Sequence, residues 1–360
     1  MKGINYYKEM TNSDPRLQAA TSWLQSLPLA QPESLAPASA DASFRRYFRL
    51  VYGGGETTAI LMDSPPDREP LSTFLRVQTL LLQAGLRAPK TLAEKQEDGF
   101  LLLEDFGQTT LLQALEQVEY DAEMAKPFYL AAQQALVQLQ KWSLGSGREA
   151  VGCLPAYDTQ RLLDEMQLFP TWYLERHLQL SFSDAERAML ARTEALLVER
   201  ALAQPAVLVH RDYHSRNLMV DPHQPSQAPG VLDFQDAVLG PMSYDLVSLL
   251  RDAYVHWPEE TQIDWAIRYW QGARAAGLPI ADDFAYFYRD FEYMGLQRHL
   301  KVLGIFARLS IRDGKHGYLK DIPRVLKDAQ HVACRYIELA PLAALLQRAE
   351  GTVHQTVYSF

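Results

Sequence analysis

The 360-residue sequence predicts an α+β fold in two lobes: a small β-rich part over residues 1–106 and a larger, mainly helical part over 107–360. Three observations predict it. Two hairpin-like pairs of strand runs precede residue 105. Long stretches of apolar residues at helical spacing follow it. Strand-like runs then return only around 207–233. The length is enough for two substantial cores.

Taken in order, "DPRLQAATSWLQSL" (14–27) opens with an Asp-Pro helix start and predicts a helix. A Pro- and Ala-rich connection follows. "SFRRYFRLVY" (43–52) and "TTAILM" (57–62) read as strands joined by a "GGGE" turn. Residues 69–84 read as a helix ending at Gly85, and "KTLAEKQEDGFLLLED" as a hairpin with Asp98-Gly99 in its turn. After Gly107, helices are predicted over 110–117, 121–143, 158–180 and 184–203, and again from Met242 to about Leu346. The last ten residues, "GTVHQTVYSF", fit no element.

Composition narrows the function classes. Apolar residues make up 48 % and charged residues 22 %, with a formal charge of −9. A nucleic-acid binder would carry a basic face, so that class is set aside. Nucleotide binding is not, because Mg²⁺ and a few local cations can neutralise a triphosphate. Cys153 and Cys334, the two cysteines, have no partners at metal-ligand spacing and read as core thiols in a reducing compartment. "MKGINYYKEM" lacks the apolar stretch of a signal peptide, and no run of about 18 uncharged apolar residues occurs. The expectation is a cytoplasmic protein with no membrane partner.

The chemistry concentrates in "LVHRDYHSRNLMV" (208–220) and "VLDFQDAVLGPMSYDL" (231–246). A carboxylate, Asp212, and a carboxamide, Asn217, lie between two apolar stretches, and Asp233 ends the next one. A hairpin would gather all three. A set of hard oxygen ligands suits Mg²⁺, which takes one or two carboxylates plus substrate phosphates, and does not suit zinc. "HRDYHSRN" matches H-R-D-x-x-x-x-N, and Asp233-Phe234-Gln235 stands where D-F-G would.

With "LLLEDFG" (101–107), these motifs resemble the aminoglycoside phosphotransferase-like, or choline-kinase-like, branch of the protein-kinase fold, over roughly residues 15–340. "DASFRRYFRL", "AILMDSPP" and "QRHLKVLGIFARL" further resemble the amino-sugar kinases of bacterial cell-wall recycling within that family. The resemblance implies a bilobal kinase-like fold and phosphoryl transfer from ATP, with Mg²⁺, to the anomeric hydroxyl of N-acetylmuramate and N-acetylglucosamine. Asp212 would be the catalytic base, and Asn217 and Asp233 would hold the metal. The backbone of Glu104 and Phe106 would meet adenine. The turn from Ser39 to Ser43 would cover the phosphates, and Asp245 would brace the catalytic loop.

Two departures stand out. No G-x-G-x-x-G precedes the second strand, although small residues such as Ser43 still admit backbone amides to phosphate. Met62 takes the place of the kinase lysine, and the 69–84 helix offers only Glu69. Arg45, Arg46 and Arg49 on the neighbouring strand are candidate replacement cations, with Arg45 and Arg46 the first choices. His210 and His214 read as loop anchors. Asp236 either lines the acceptor site or caps a turn. Arg298 and Lys301 belong either to a solvated helix face or to the recognition of an anionic acceptor. Two other readings stay open: a kinase of another small hydroxyl acceptor (an aminoglycoside, an amino alcohol, another sugar), and a nucleotide-binding pseudokinase that works as an interaction module.

Overall fold

The computed structural model describes residues 14–28, 33–39, 44–55 and 57–357. They divide into two compact units, one made of the described residues up to Gln83 with Arg87–Gln108 and Gly230–Gln235, the other of the remaining described residues. Ser43 and the rest of the turn at 40–43 lie outside the described residues. No helix among those described is long and apolar enough to cross a membrane.

The smaller unit is an antiparallel sheet of β1 (Ser34–Ser39), β2 (Arg46–Tyr52), β3 (Thr57–Asp63), β4 (Thr91–Lys95) and β5 (Phe100–Glu104), in the order β1-β2-β3-β5-β4. β1 falls in the stretch expected to be a connection. Its Pro37 is tolerated because β1 is an edge strand, where one side needs no ladder donor. Gly53, Gly54 and Gly55 all have positive φ and close the β2–β3 turn.

Period two divides the sheet's faces. Phe48, Leu50, Ala59, Leu61, Phe100 and Leu102 form a core with Leu17, Ala20, Trp23 and Leu24 of the helix Pro15–Ser26. Asp14 caps that helix by accepting from the Arg16 and Leu17 amides. Arg16 and Arg46 both bind the buried Asp63 carboxylate, and Arg46 also reaches Asp14. Met62, opposite Tyr47 and Leu101, sits on the other face and is fully buried.

In the larger unit, a hairpin-like pair, Ala206–Val209 against Val238–Pro241, stands among helices. The long helix Phe284–Asp313 packs against most of the others, and its residues from Phe291 to Gly304 are buried. Gly304 lets it close on the π-helical segment Phe169–His177, because a Cβ there would lie 2.3 Å from the Leu168 backbone. That segment replaces the second half of the helix expected over 158–180. The C-terminus departs from expectation as well: a helix, Ala340–Val357, continues through most of the last ten residues. Both cysteines are exposed, against the expectation of core thiols, because they sit on outward positions of the 151–154 turn and of the helix Ile322–Arg335.

Candidate active site

The strand Ala206–Val209 ends at His210, and the chain then turns sharply, with Arg211 at φ 77°. A left-handed conformation is costly for a residue with a Cβ and marks a place the surroundings over-determine. Those surroundings are carboxylates. Asp245 of the helix Tyr244–Leu250 accepts from the amides of His210 (2.7 Å) and Arg211 (3.0 Å). Asp252, just beyond that helix, accepts from the Ser215 amide (2.9 Å). Asp245 is buried, and desolvation pushes its carboxyl up to about 7 against the pull of the two amides.

Within the loop, the Asp212 amide donates to His210 Nδ1 (3.2 Å), and Asn217 Nδ2 donates to the Asp212 carbonyl (3.0 Å). Asp212 and Asn217, paired in the sequence reading, are thus held together directly. The Asp212 carboxylate points to His214 Nε2 at 3.9 Å and Arg298 Nη1 at 4.0 Å. Desolvation pushes its carboxyl up, but Lys301, His214, Arg298 and Arg211 outweigh that and bring it to about 2. Burial pushes the His214 imidazole down and favours its neutral form.

Below the loop lies a polar network that the sequence did not point to. Glu165, on the helix Thr159–Met166, accepts from Arg211, Tyr157 and, at 3.0 Å, Lys301. Tyr244 OH takes Lys301 at 3.0 Å and Arg298 at 3.2 Å, and Arg298 also donates to the Arg211 carbonyl (3.0 Å). Arg298 and Lys301 are therefore not on a solvated face. They are 3 % and 6 % exposed, because the long helix is enclosed along this stretch. Their charged ends are committed to the loop and its support. Asp236 is exposed and forms no side-chain hydrogen bond or ion pair among the described residues.

In the smaller unit, Asp233 is also left-handed, at φ 61°, and accepts from Gln235 Nε2 (2.6 Å). Phe234 is fully buried, its ring 4.7 Å from Phe74 of the helix Leu71–Gln83. The stretch 104–107 is tied down on several sides. The Glu104 amide donates to Lys90 O (2.8 Å). Arg49 grips Asp105 (2.6 Å) and the Gly107 carbonyl (2.5 Å). The Phe106 ring lies under Arg87, and Gly230 abuts it so closely that a Cβ would come within 2.4 Å.

The three candidate arginines separate. Arg46 shares the face of Asp63, opposite that of Met62, and its donors are held by Asp14 and Asp63. The geometry removes it as a replacement for the lysine. Arg49 serves the 105–107 stretch. Arg45 pairs with Glu69 at 3.0 Å, beside the start of the helix Leu71–Gln83.

A five-stranded antiparallel unit, a larger helical unit, a loop that joins Asp212 to Asn217, and an Asp233-Phe234 pair just after a short strand are the features of a kinase-like phosphotransferase. The profile of the phosphotransferase enzyme family matches residues 34–284, and the chain belongs to that family. It is 47 % identical over 330 residues to the N-acetylmuramate/N-acetylglucosamine kinase of Neisseria meningitidis serogroup B, covering 92 % of this chain and 95 % of that one. It is 45 % identical over 345 residues to the protein of the same name from Pseudomonas aeruginosa, covering 93 % and 97 %. Among solved structures it is similar to the GDP complex of wild-type aminoglycoside 2'-phosphotransferase-IIIa (TM-score 0.58, 13 % identity, 90 % of this chain and 100 % of that one). It is also similar to Plasmodium vivax ethanolamine kinase (TM-score 0.56, 12 % identity, 82 % of each chain). The protein-kinase-like fold is shared with both.

Proposed function

We propose that the chain is a cytoplasmic, ATP-dependent kinase that phosphorylates the anomeric hydroxyl of N-acetylmuramate and of N-acetylglucosamine, giving the sugar 1-phosphates. The observation that carries the acceptor is that three relatives, 43–47 % identical over more than nine-tenths of this chain, bear the name of that kinase. Asp212 is the base that orients the hydroxyl and takes its proton. Asn217 and Asp233 are the Mg²⁺ ligands. They suit that ion by chemistry: one carboxylate and one carboxamide, both hard oxygen donors, with the Asn217 nitrogen end already engaged by Asp212 O. Among the described residues no group of three or more His, Cys, Asp or Glu is placed to hold a metal ion by itself, and a metal that completes its shell with phosphate oxygens requires none. Mg²⁺ would neutralise charge on the transferring phosphoryl group. The backbone at Glu104 and Phe106 receives adenine, and Arg45, steadied by Glu69, is the cation proposed for the phosphates. An anomeric hydroxyl is more acidic than an ordinary alcohol, so it asks little of the base.

ATP consumption measured across N-acetylmuramate, N-acetylglucosamine, choline and aminoglycosides tests the acceptor. Turnover confined to the two amino sugars, with a product hydrolysed by mild acid, is the expected result. An acid-stable product would place the phosphate on another hydroxyl. Binding of nucleotide without any turnover would favour an interaction module. Asp233→Ala should abolish the Mg²⁺ dependence of nucleotide binding in calorimetric titrations run with and without the metal. If that dependence survives, the metal is held elsewhere.

A further inference from the structure

The proposed pair of acceptors differs chemically at one place: N-acetylmuramate carries a lactyl ether carboxylate that N-acetylglucosamine lacks. A site that treats them differently needs a cation with donors to offer. Arg298 and Lys301 are buried; Tyr244, Glu165 and the Arg211 carbonyl hold the Lys301 ammonium and Arg298 Nη1, and Arg298 Nε, which has no hydrogen-bond partner among the described residues, is closed off from solvent. Arg211 is held by Glu165. Arg216, between Asp212 and Asn217 in the same loop, is different. It is exposed and enters no ion pair among the described residues. It is nevertheless ordered against aromatic faces: its guanidinium lies 3.6 Å from the centroid of Tyr254 and 5.9 Å from that of Tyr318.

Those rings belong to a shelf. Phe306 lies 6.2 Å from Tyr254 and 5.3 Å from Tyr318, centroid to centroid. The shelf reaches the reacting carboxylate through one side chain, since Tyr254 meets His214 edge-on at 5.5 Å and His214 Nε2 is 3.9 Å from Asp212. A guanidinium stacked on an aromatic face keeps its edge N–H groups for a carboxylate, which it can bind by two oxygens at once. Stacking fixes the plane of the fork beforehand, so less side-chain entropy is lost on binding.

We propose that Arg216, presented on the Tyr254–Tyr318 shelf in the same loop as Asp212, binds a carboxylate of the acceptor and so sets the enzyme's preference between N-acetylmuramate and N-acetylglucosamine. This rests on the function proposed above. A charge-assisted pair of this kind corresponds to about 10- to 100-fold in affinity.

The test compares kcat/KM for N-acetylmuramate, its lactyl carboxamide and N-acetylglucosamine in the wild type, Arg216→Met and Arg216→Lys. The wild type should prefer the carboxylate over its carboxamide by at least about 10-fold. Arg216→Met should erase that preference and lower the ratio of N-acetylmuramate to N-acetylglucosamine by a similar factor, and Arg216→Lys should recover part of it. A wild type blind to the carboxamide change overturns the proposal, whatever the variants do. So does an Arg216→Met enzyme with an unaltered ratio, or one whose defect lies in the KM for ATP. A wild type that turns over neither sugar overturns the proposed function itself, and this assignment with it.

Discussion

Asp212→Asn should lower kcat by about 10² to 10⁴, the usual cost of removing a general base, while the protein stays folded and still binds nucleotide. The loop does not depend on the carboxylate for its shape. What holds Asn217 is the Asp212 main-chain oxygen, and what holds the loop's amides is Asp245 and Asp252. Asparagine keeps the main chain and the side-chain volume and removes only the proton acceptor and its charge. Steady-state kinetics with N-acetylglucosamine, together with circular dichroism and a nucleotide titration, would separate chemistry from folding. A mutant with near wild-type kcat would take the role from Asp212.

The second large effect is on stability. Glu165→Leu should destabilise the protein by about 3–5 kcal/mol, the usual result of removing one partner of a buried ion pair. Glu165 is 8 % exposed and is the carboxylate that both Arg211 and Lys301 meet. Without it two cations remain in a desolvated layer, and Tyr157 loses its acceptor. Burial pushes the Glu165 carboxyl up, yet Lys301 and Arg211 hold it below its ordinary value. Turnover should fall too, because Arg211 is the residue whose left-handed turn delivers Asp212. Urea unfolding monitored by tryptophan fluorescence gives the number. A loss under about 1 kcal/mol would mean that water or a neighbouring group compensates the cations.

Local signals were legible in the sequence, and long-range commitments were not. The hairpins, the helix starts and the spacing of Asp212, Asn217 and Asp233 are written in neighbouring residues, and the strands, the helix capped by Asp14 and the Asp212–Asn217 bond follow them. β1 was hidden by its Pro37, which an edge strand tolerates. Glu165 was hidden because its partners other than Tyr157 are far away: the Arg211 bond spans 46 positions and the Gln297 bond 132. On its own helix it looks like any surface glutamate. Arg298 and Lys301 read as solvated for the same reason, since charge predicts exposure unless the pairing partners are known. Arg216 carries no sequence signal at all: its distinction is the pair of rings around it. Arg46 and Met62 fall on opposite faces of the sheet, which strand alternation alone did not resolve because Phe44 and the Tyr47–Phe48 pair break the pattern.

The clasp on the catalytic loop has a consequence for how such an enzyme can diversify. Asp245 and Asp252 grip the loop by its main-chain amides, from outside it. Main-chain amides are present whatever the side chain, proline excepted. The side chains at 214 and 216 are therefore largely relieved of the task of shaping the loop. They can be exchanged in the course of evolution, or by design, with the base still delivered to the same place. On the function proposed above, recognition of the acceptor and placement of the proton acceptor would then lie in one loop and still be free to vary separately. A kinase loop held in this way would let the acceptor change without a rebuilding of the chemistry.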